Sequence, residues 1–217
     1  MKLKEVVELG RRMRAFGGGK RGGRIELRGD VAYLVNSKGS AVYKVFNDQT
    51  ERFGEGCFYA GDYEWGDYAE DRGEYVAFVL ERGGVKTRHL VKAEAPFSDK
   101  AEEAFKKFFF KPNLLLPSAA LEVMDPDILI TTFTVSGDRL SVSQIRSDGA
   151  ARKEHELRLS VSLDEARVSF FTKDLYALKG FAQKIMLGVM TGKPIPIVAR
   201  VRGGWLKGII SHIIWEM

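Results

Sequence analysis

Basic side chains are the residues of this sequence whose type and spacing best suit a chemical role. Residues 2–28 hold nine lysines and arginines against three glutamates. Lys4, Arg11 and Arg12 recur at helical spacing and would share one face of a first helix. Such a face suits the phosphates of nucleic acid, since these contacts need charge and little fixed geometry. A plain solvated face, with arginines that complement the helix dipole, is the alternative interpretation.

A glycine-rich basic segment, GGGKRGG at residues 17–23, follows this expected helix. A phosphate-binding P-loop needs Ser or Thr directly after its lysine, and here Arg21 follows Lys20, which argues against that motif. The segment is therefore either a basic loop that touches nucleic-acid phosphates or a simple connection between a helix and a strand.

No group of residues in the sequence has the spacing of a catalytic or metal centre. The histidines His89, His155 and His212 lie far apart, and Asp125 and Asp127 flank a proline in an expected turn. The sequence contains no nucleophile elbow, CxxC, HExxH or dinucleotide fingerprint. We therefore predict a protein that is not an enzyme and has no cofactor and no metal. An unrecognised active site would be supported only if mutating Asp125, Asp127 or His155 abolished an activity.

The composition predicts a soluble globular chain of one large or two small domains. Of the 217 residues 45% are apolar, and the net charge of +5 permits nucleic-acid binding without requiring it. No apolar run approaches the roughly 18 residues that a membrane helix needs, and no signal peptide is evident. The single cysteine, Cys57, cannot form an internal disulfide, which fits a cytoplasmic protein.

The first half of the chain alternates in the manner of an antiparallel sheet. A helix is expected over residues 3–16, and residues 24–46 then predict a three-stranded meander. Residues 74–82 and 85–92 predict a hairpin across two glycines. The acidic, aromatic segment between these parts, residues 53–71, is a poor helix.

An amphipathic segment joins the two halves. Ser98 is the expected N-cap of a helix, DKAEEAFKKFFF, whose phenylalanine-rich face either joins the core or binds a partner. Two prolines then bracket a short apolar run that ends before residue 117. Either the 98–110 segment or the 117–124 segment could open the second half, and the sequence does not decide between them.

The second half predicts further strands and one more helix. Residues 127–161 suggest three strands, the first two separated by a turn at residues 136–138. A strand at 168–172, a helix from Asp174 to about Leu187, and strands at 195–201 and 206–214 joined by two glycines are then expected. The helix is inferred from apolar residues at three- and four-residue steps, which are Leu175, Leu178, Ala182, Ile185 and Val189.

The closing segments resemble the end of a DNA sliding clamp of the proliferating cell nuclear antigen type. The similarity lies in the order of a strand, the helix DLYALKGF, the strand KPIPIVARV, a glycine turn and an apolar last strand. The opening MKLKEVVELGRRMRAF and the strands after it resemble the start of a cellular or phage clamp. The resemblance implies an α+β fold of two similar domains, built from antiparallel sheets with helices on one face. The implied boundaries are residues 1–93, a connection at 94–112, and residues 113–217.

The same resemblance implies a DNA polymerase processivity factor that holds duplex DNA and tethers replication proteins through short peptide motifs. A homotrimeric ring is implied, closed between edge strands at Val85–Lys92 and Glu154–Val161, although a monomer or dimer would also grip DNA. The implied DNA-binding residues are Lys4, Arg11, Arg12, Arg14, Lys20, Arg21, Arg24, Lys173, Lys179 and Lys184. The implied partner-binding residues are Leu90, Val91, Pro96, Phe97, Ile210, Ile213, Ile214 and Trp215.

Two departures from the family qualify this expectation. The tail SHIIWEM lacks the Ala-Pro ending of the family, and the chain is basic where cellular clamps are commonly acidic. The tail leaves the partner specificity open. An archaeal or viral protein is expected, and the basic charge shifts this expectation towards a viral or plasmid-like variant, or one that grips DNA as a monomer or dimer. A basic β-rich nucleic-acid-binding module that forms no ring is the alternative function.

Overall fold

The computed structural model describes residues 1–13, 21–48, 52–145 and 152–213. Helices occupy a small share of these residues, and one 3-10 turn at Ala60–Asp62 accompanies them. The helices within the described ranges are α1 (Leu3–Arg12), α2 (Ser98–Phe108), α3 (Ser118–Val123) and α4 (Thr172–Tyr176). None of them is long and apolar enough to cross a membrane.

Strands make up most of the described chain. Their bounds are β1 (Arg24–Gly29), β2 (Val31–Val35), β3 (Ala41–Asn47), β4 (Gly54–Tyr59), β5 (Tyr68–Asp71), β6 (Tyr75–Arg82), β7 (Val85–Lys92), β8 (Leu114–Leu115), β9 (Ile130–Ile145), β10 (Arg152–Phe171), β11 (Ala182–Leu187), β12 (Ile195–Val201) and β13 (Gly204–Ile210). Eleven of them form one sheet in the order β7-β6-β5-β4-β1-β2-β3-β13-β12-β11-β8, while β9 and β10 pair separately.

The strands predicted from alternation in the first half are confirmed, whereas the last strand, predicted over 206–214, runs over Gly204–Ile210, with residues 211–213 outside it and residue 214 beyond the described ranges. The meander at residues 24–46 is β1 to β3, and the hairpin of β6 and β7 turns across Gly83 and Gly84. The hairpin of β12 and β13 pairs from Ile195 with Ile210 to Val201 with Gly204. Residues 53–71, whose sequence suits a helix poorly, form strands β4 and β5 on either side of the 3-10 turn.

One strand pairing joins the two halves of the chain. Strand β13 pairs along β3, from Ala41 with Ile210 to Asn47 with Gly204. The main core is therefore contiguous, with residues from β1 to β3 and from β9 to β13 packed together. The domain boundaries near residues 93 and 112 stay a prediction.

The helix predicted from Asp174 to about Leu187 is wrong over most of its length. Helix α4 ends at Tyr176, and Gly180 then adopts a φ of +70° that favours glycine. Residues Ala182–Leu187 form β11, which pairs antiparallel with β12. The apolar positions fit the period of a strand as well as that of a helix, because Ile185 and Leu187 alternate with polar or exposed neighbours. Pairing with β12 decided between the two structures.

The turn predicted at residues 136–138 is also wrong. Strand β9 runs through these residues, and β10 follows it with register shifts between Arg158 and Ala166. Gly137 absorbs the irregularity with a φ of +60°. A glycine between two polar residues therefore marks a bulge here, since a bulge and a turn need the same left-handed backbone.

The helices of the chain lie on both faces of the large sheet. Neighbouring residues of a strand point to opposite faces, and Ile25 contacts α1 at Gly10 whereas Glu26 contacts the start of α2. We call the side of β1–β3 that carries Ile25 the α1 face and the side that carries Glu26 the α2 face. Helix α4 adjoins α1, and α3 contacts β10 as α4 does. The choice between the 98–110 and 117–124 segments as the opening helix of the second half stays open.

Candidate nucleic-acid interface

A cleft between α1 and α4 brings together basic residues that are about 160 positions apart in the sequence. Four of the predicted DNA-binding residues line it: Arg11, Arg12, Lys173 and Lys179. The cleft is open and has a volume of about 590 Å³. The Arg12 guanidinium donates a hydrogen bond of 2.9 Å to the backbone oxygen of Lys179, which fixes the two segments against each other.

A second cleft lies at the other end of α1 and is also basic. Lys2, Lys4, Arg11, Arg52 and Arg82 line it, so Arg11 borders both clefts. We call the surface that runs through both clefts along α1 the basic strip. It lies on the α1 face and combines charges from the first helix, the first half of the sheet and α4.

The cations of the basic strip differ in how firmly they are held. Arg11 donates to the backbone oxygens of Ala60 at 3.2 Å and of Tyr63, so it is a fixed charge. Arg12 pairs with Glu8 at 3.3 Å on the exposed surface. Such exposed pairs contribute little stability, so the arginine can exchange its carboxylate for a phosphate at small cost.

Lys179 is similarly engaged by an acidic partner at the border of the strip. Its ammonium lies 2.8 Å from Glu122, and this hydrogen bond is the main reason that the pKa of Lys179 lies above its ordinary value. Its charge is therefore offset by Glu122, and a phosphate would have to displace this exposed pair.

The remaining predicted DNA-binding residues lie elsewhere or outside the described residues. Arg21 pairs with Asp62 at 3.7 Å, and Lys184 is exposed on strand β11 and not on a helix as predicted. Arg24 lies on the α2 face, with its guanidinium 4.7 Å from the centre of the Phe97 ring. Arg14 and Lys20 fall outside the described ranges.

The predicted partner-binding residues do not form one open pocket in the described part of the chain. Val91 and Ile210 are buried in the main core, whereas Leu90 is exposed on β7. Pro96 is exposed, Phe97 lies under α2, and the Ile213 backbone donates to Ser169. Ile214 and Trp215 lie outside the described residues.

Helix α2 covers an apolar area on the α2 face. Its residues Ala101 and Phe105 are buried against Tyr33, Cys57 and Ile209, which form a second cluster separate from the main core. The phenylalanine-rich face of α2 thus contributes to a core, although Phe108 remains exposed. Burial raises the pKa of the Cys57 thiol to about 12, which disfavours the nucleophilic thiolate form.

Two carboxylates hold α2 in place. The Glu26 carboxylate accepts from the backbone N–H groups of Phe97 and Ser98 at the start of the helix. Ser98 was predicted as the N-cap, but its hydroxyl instead donates to Glu26 at 2.6 Å, and a residue from another element caps the helix. Glu102 accepts from the Tyr33 hydroxyl at 2.7 Å and pairs with Lys44.

A buried carboxylate also connects α4 to the first half of the chain. Asp174 accepts hydrogen bonds of 2.6 Å from Asn36 and from Ser40, which lie on either side of the turn between β2 and β3. Burial raises the pKa of Asp174 to about 6, against the opposing effect of these two donors. Asp174 lay inside a predicted helix, and nothing in its local sequence indicated this role.

Asp125 and His212, which were considered for catalysis, make local structural contacts. Asp125 accepts from the backbone of Asp127 at 3.0 Å and pairs with Lys153 at 2.7 Å. The ring of His212 accepts from the Ser169 backbone, while His89 and His155 lie on separate strands. The described residues contain no group of three or more acidic, histidine or cysteine side chains placed to hold a metal ion.

Comparison with solved structures defines the fold. The proliferating cellular nuclear antigen of Entamoeba histolytica matches over 97% of this chain and 94% of its own, with a TM-score of 0.62 and 9% identity. The PCNA2–PCNA3 complex of Sulfolobus tokodaii matches over 98% and 97%, with a TM-score of 0.58 and 11% identity. The DNA polymerase III beta subunit of Thermotoga maritima matches over 99% of this chain and 63% of its own, with a TM-score of 0.62 and 12% identity.

This chain therefore has the α+β fold of the DNA sliding clamps, as its sequence predicted. No protein-family profile matches the sequence. No curated protein matches it by sequence either. The likeness lies in the arrangement of the strands and helices, since the identity to each of the three structures is 12% or less.

Proposed function

We propose that this protein is a sliding-clamp-like processivity factor, which holds duplex DNA through contacts that do not depend on sequence. The observation that carries the proposal is the basic strip on the α1 face of a clamp fold. Its lysines and arginines end in long side chains, which suit phosphates at variable distances. In this function the protein acts as a scaffold in the cytoplasm and not as an enzyme.

The free edges of the sheets support assembly into a ring. Within the described chain, β7 is the last strand of the large sheet, and β10 pairs only with β9. Leu90 on β7 is 56% exposed and Val161 on β10 is 49% exposed, so both edges offer apolar side chains as well as unpaired backbone groups to a neighbouring strand. Pairing of β7 with β10 of the next subunit is a head-to-tail contact, and three such contacts would close a homotrimer.

A DNA polymerase and other replication proteins are the proposed partners, bound through short peptides. The predicted partner residues near the interdomain connection remain candidates for this contact. Because α2 covers much of the apolar area on the α2 face, a peptide would dock beside α2 or displace it. Pro96 and Leu90 are the candidates that stay accessible next to α2 and on β7.

A double variant tests whether the basic strip binds DNA. Arg12→Gln with Lys173→Gln removes two charges between α1 and α4, whereas Lys100→Gln with Lys106→Gln removes two exposed charges from α2. We expect only the first pair to weaken binding to duplex DNA and to reduce the salt slope, by about one per charge removed. Equal binding by both variants would refute this interface.

Light scattering across a concentration series at moderate salt tests the ring. A particle of three times the chain mass of 24.3 kDa is the expected result. A chain that stays monomeric at the highest concentration would contradict a closed ring. Duplex binding through the basic strip would then favour the ringless nucleic-acid-binding module.

A further inference from the structure

The cleft at the N-terminal end of α1 is the more aromatic part of the basic strip, since Tyr63, Trp65 and Tyr68 line it and Tyr176 lines the cleft beside α4. Its volume is about 1000 Å³, and Trp65 and Tyr68 contribute half-buried rings to its wall. Lys2, Lys4 and Arg52 are exposed cations of the same cleft. Duplex DNA offers phosphates to such a surface, but its stacked bases leave the rings without a partner.

The aromatic wall is held in a defined conformation. The Tyr63 hydroxyl donates to the Gly66 backbone oxygen at 2.7 Å, and the Asp67 backbone donates to Val79 at the same distance. Gly66 has a φ of +144°, and a side chain there would collide with Phe78. This segment therefore turns in a way that other residues rarely adopt.

The ring of Trp65 has a neighbouring ring that does not line the cleft. His89 lies with its ring centre 5.7 Å from that of Trp65, in a tilted arrangement. A half-buried ring with such a neighbour loses less side-chain freedom when it stacks with a ligand than a fully exposed ring does.

The charges of the cleft favour an anion next to these rings. Among the described residues, Lys2, Lys4 and Arg52 form no side-chain ion pair, so their charges are uncompensated. Of the two acidic residues in the wall, Asp67 pairs with Arg82 at 2.7 Å, which leaves Glu64 against the cations Lys2, Lys4, Arg11 and Arg52. The cleft therefore joins a stacking ring with several phosphate-seeking cations.

We propose that this cleft binds an unpaired nucleotide of single-stranded DNA, with its base on Trp65 and its phosphates near Lys2, Lys4 and Arg52. Stacking on aromatic rings together with a basic groove is the general mode of single-strand binding, and it tolerates any base. The proposal rests on the proposed function, since the strand would be a frayed continuation of the duplex held along the basic strip. A free nucleotide has the same chemistry, and the test distinguishes the two sources.

The test measures binding of the full chain to fluorescently labelled oligothymidylate, to a duplex of equal length, and to thymidine triphosphate. Trp65→Ala should weaken oligothymidylate binding roughly five- to hundredfold, with a much smaller effect on the duplex. Trp65→Phe keeps a ring and should retain most of the affinity. Trp205→Ala is the matched control, because Trp205 is a solvent-accessible tryptophan that stacks on Phe46 in β3, outside the cleft.

The outcomes separate this proposal from the proposed function. Unchanged oligothymidylate binding in a folded Trp65→Ala protein would overturn the stacking site, whereas duplex binding that depends on Arg12 and Lys173 would still support the clamp. An equal loss of single-strand and duplex binding would also overturn the stacking site, because the cleft would then contact only phosphates. Triphosphate binding as tight as that of the oligonucleotide would assign the cleft to a free nucleotide instead.

Discussion

The carboxylate of Glu26 on β1 accepts two hydrogen bonds of 2.6 Å from Ser98, one from its backbone N–H and one from its hydroxyl. These residues are 72 positions apart, and the contact places a negative charge at the N-terminus of α2. Burial by itself would raise the pKa of Glu26, but the donors Ser98, Phe97 and Arg28 outweigh it and hold the pKa below its ordinary value. The α2 face is thus organised around one buried anion.

Replacing this anion should loosen α2. Glu26→Gln keeps an acceptor but removes the charge, and we expect it to lower the free energy of unfolding by about 1–3 kcal/mol. Urea denaturation measures the loss, and hydrogen exchange should show faster exchange in α2 than in β12. Glu55→Gln, at an exposed position of β4, is the control and should change neither quantity. Unaltered α2 exchange in the Glu26 variant would contradict the capping role.

Asp174 predicts a pH dependence of stability with a definite sign. Its pKa is raised from 3.8 to about 6 in the folded chain, so the unfolded chain ionises first as the pH rises. Stability from this group is complete below about pH 4 and is lost as the pH rises to about 6, by roughly 3 kcal/mol. Asp174→Asn should remove this decline, because an amide can still bond to Asn36 and Ser40.

Thermal unfolding of both proteins between pH 4 and pH 7 checks this prediction. The difference in Tm between the Asn variant and the parent should grow in favour of the variant as the pH rises. Parallel pH profiles would show that Asp174 titrates near its ordinary value in the folded state.

The pairing of β3 with β13 requires glycine at position 208. A side chain there would overlap the ring of Tyr43, which is fully buried and donates its hydroxyl to the Asp174 backbone. Gly208→Ala should therefore destabilise the chain by about 1–3 kcal/mol through overpacking. Tyr43→Val frees space at this position, so the double variant should lose less stability than the sum of the losses in the two single variants. Strict additivity in urea denaturation would mean that the ring is not what the new methyl group meets.

Strand β7 should control assembly if the ring is formed as proposed. Leu90→Asp puts a charge on the exposed edge, and we expect it to shift the solution mass towards the monomer while the chain stays folded. Met190→Asp is the matched control, since Met190 is exposed to 48% but lies outside β7 and β10. Light scattering of both variants provides the comparison, and equal assembly would exclude β7 from the interface.

The local sequence determined those elements whose hydrophobic pattern fits only one type of secondary structure. Residues 24–46 alternate over three short runs with turns between them, and only a meander satisfies that pattern. The last hairpin followed from β-branched runs around a glycine turn in the same way. The basic residues of the first helix were also visible in the sequence, because helical spacing alone places Lys4, Arg11 and Arg12 on one side.

Tertiary structure decided what local pattern left open. Residues 182–187 had apolar positions that suited both a helix and a strand, and the free edge of β12 selected the strand. The face on which α2 packs depends on Glu26, and the meeting of Arg12 with Lys179 depends on how α4 docks beside α1. These outcomes depend on contacts between residues far apart in sequence. Such contacts stabilise the chain only once the whole sheet has formed.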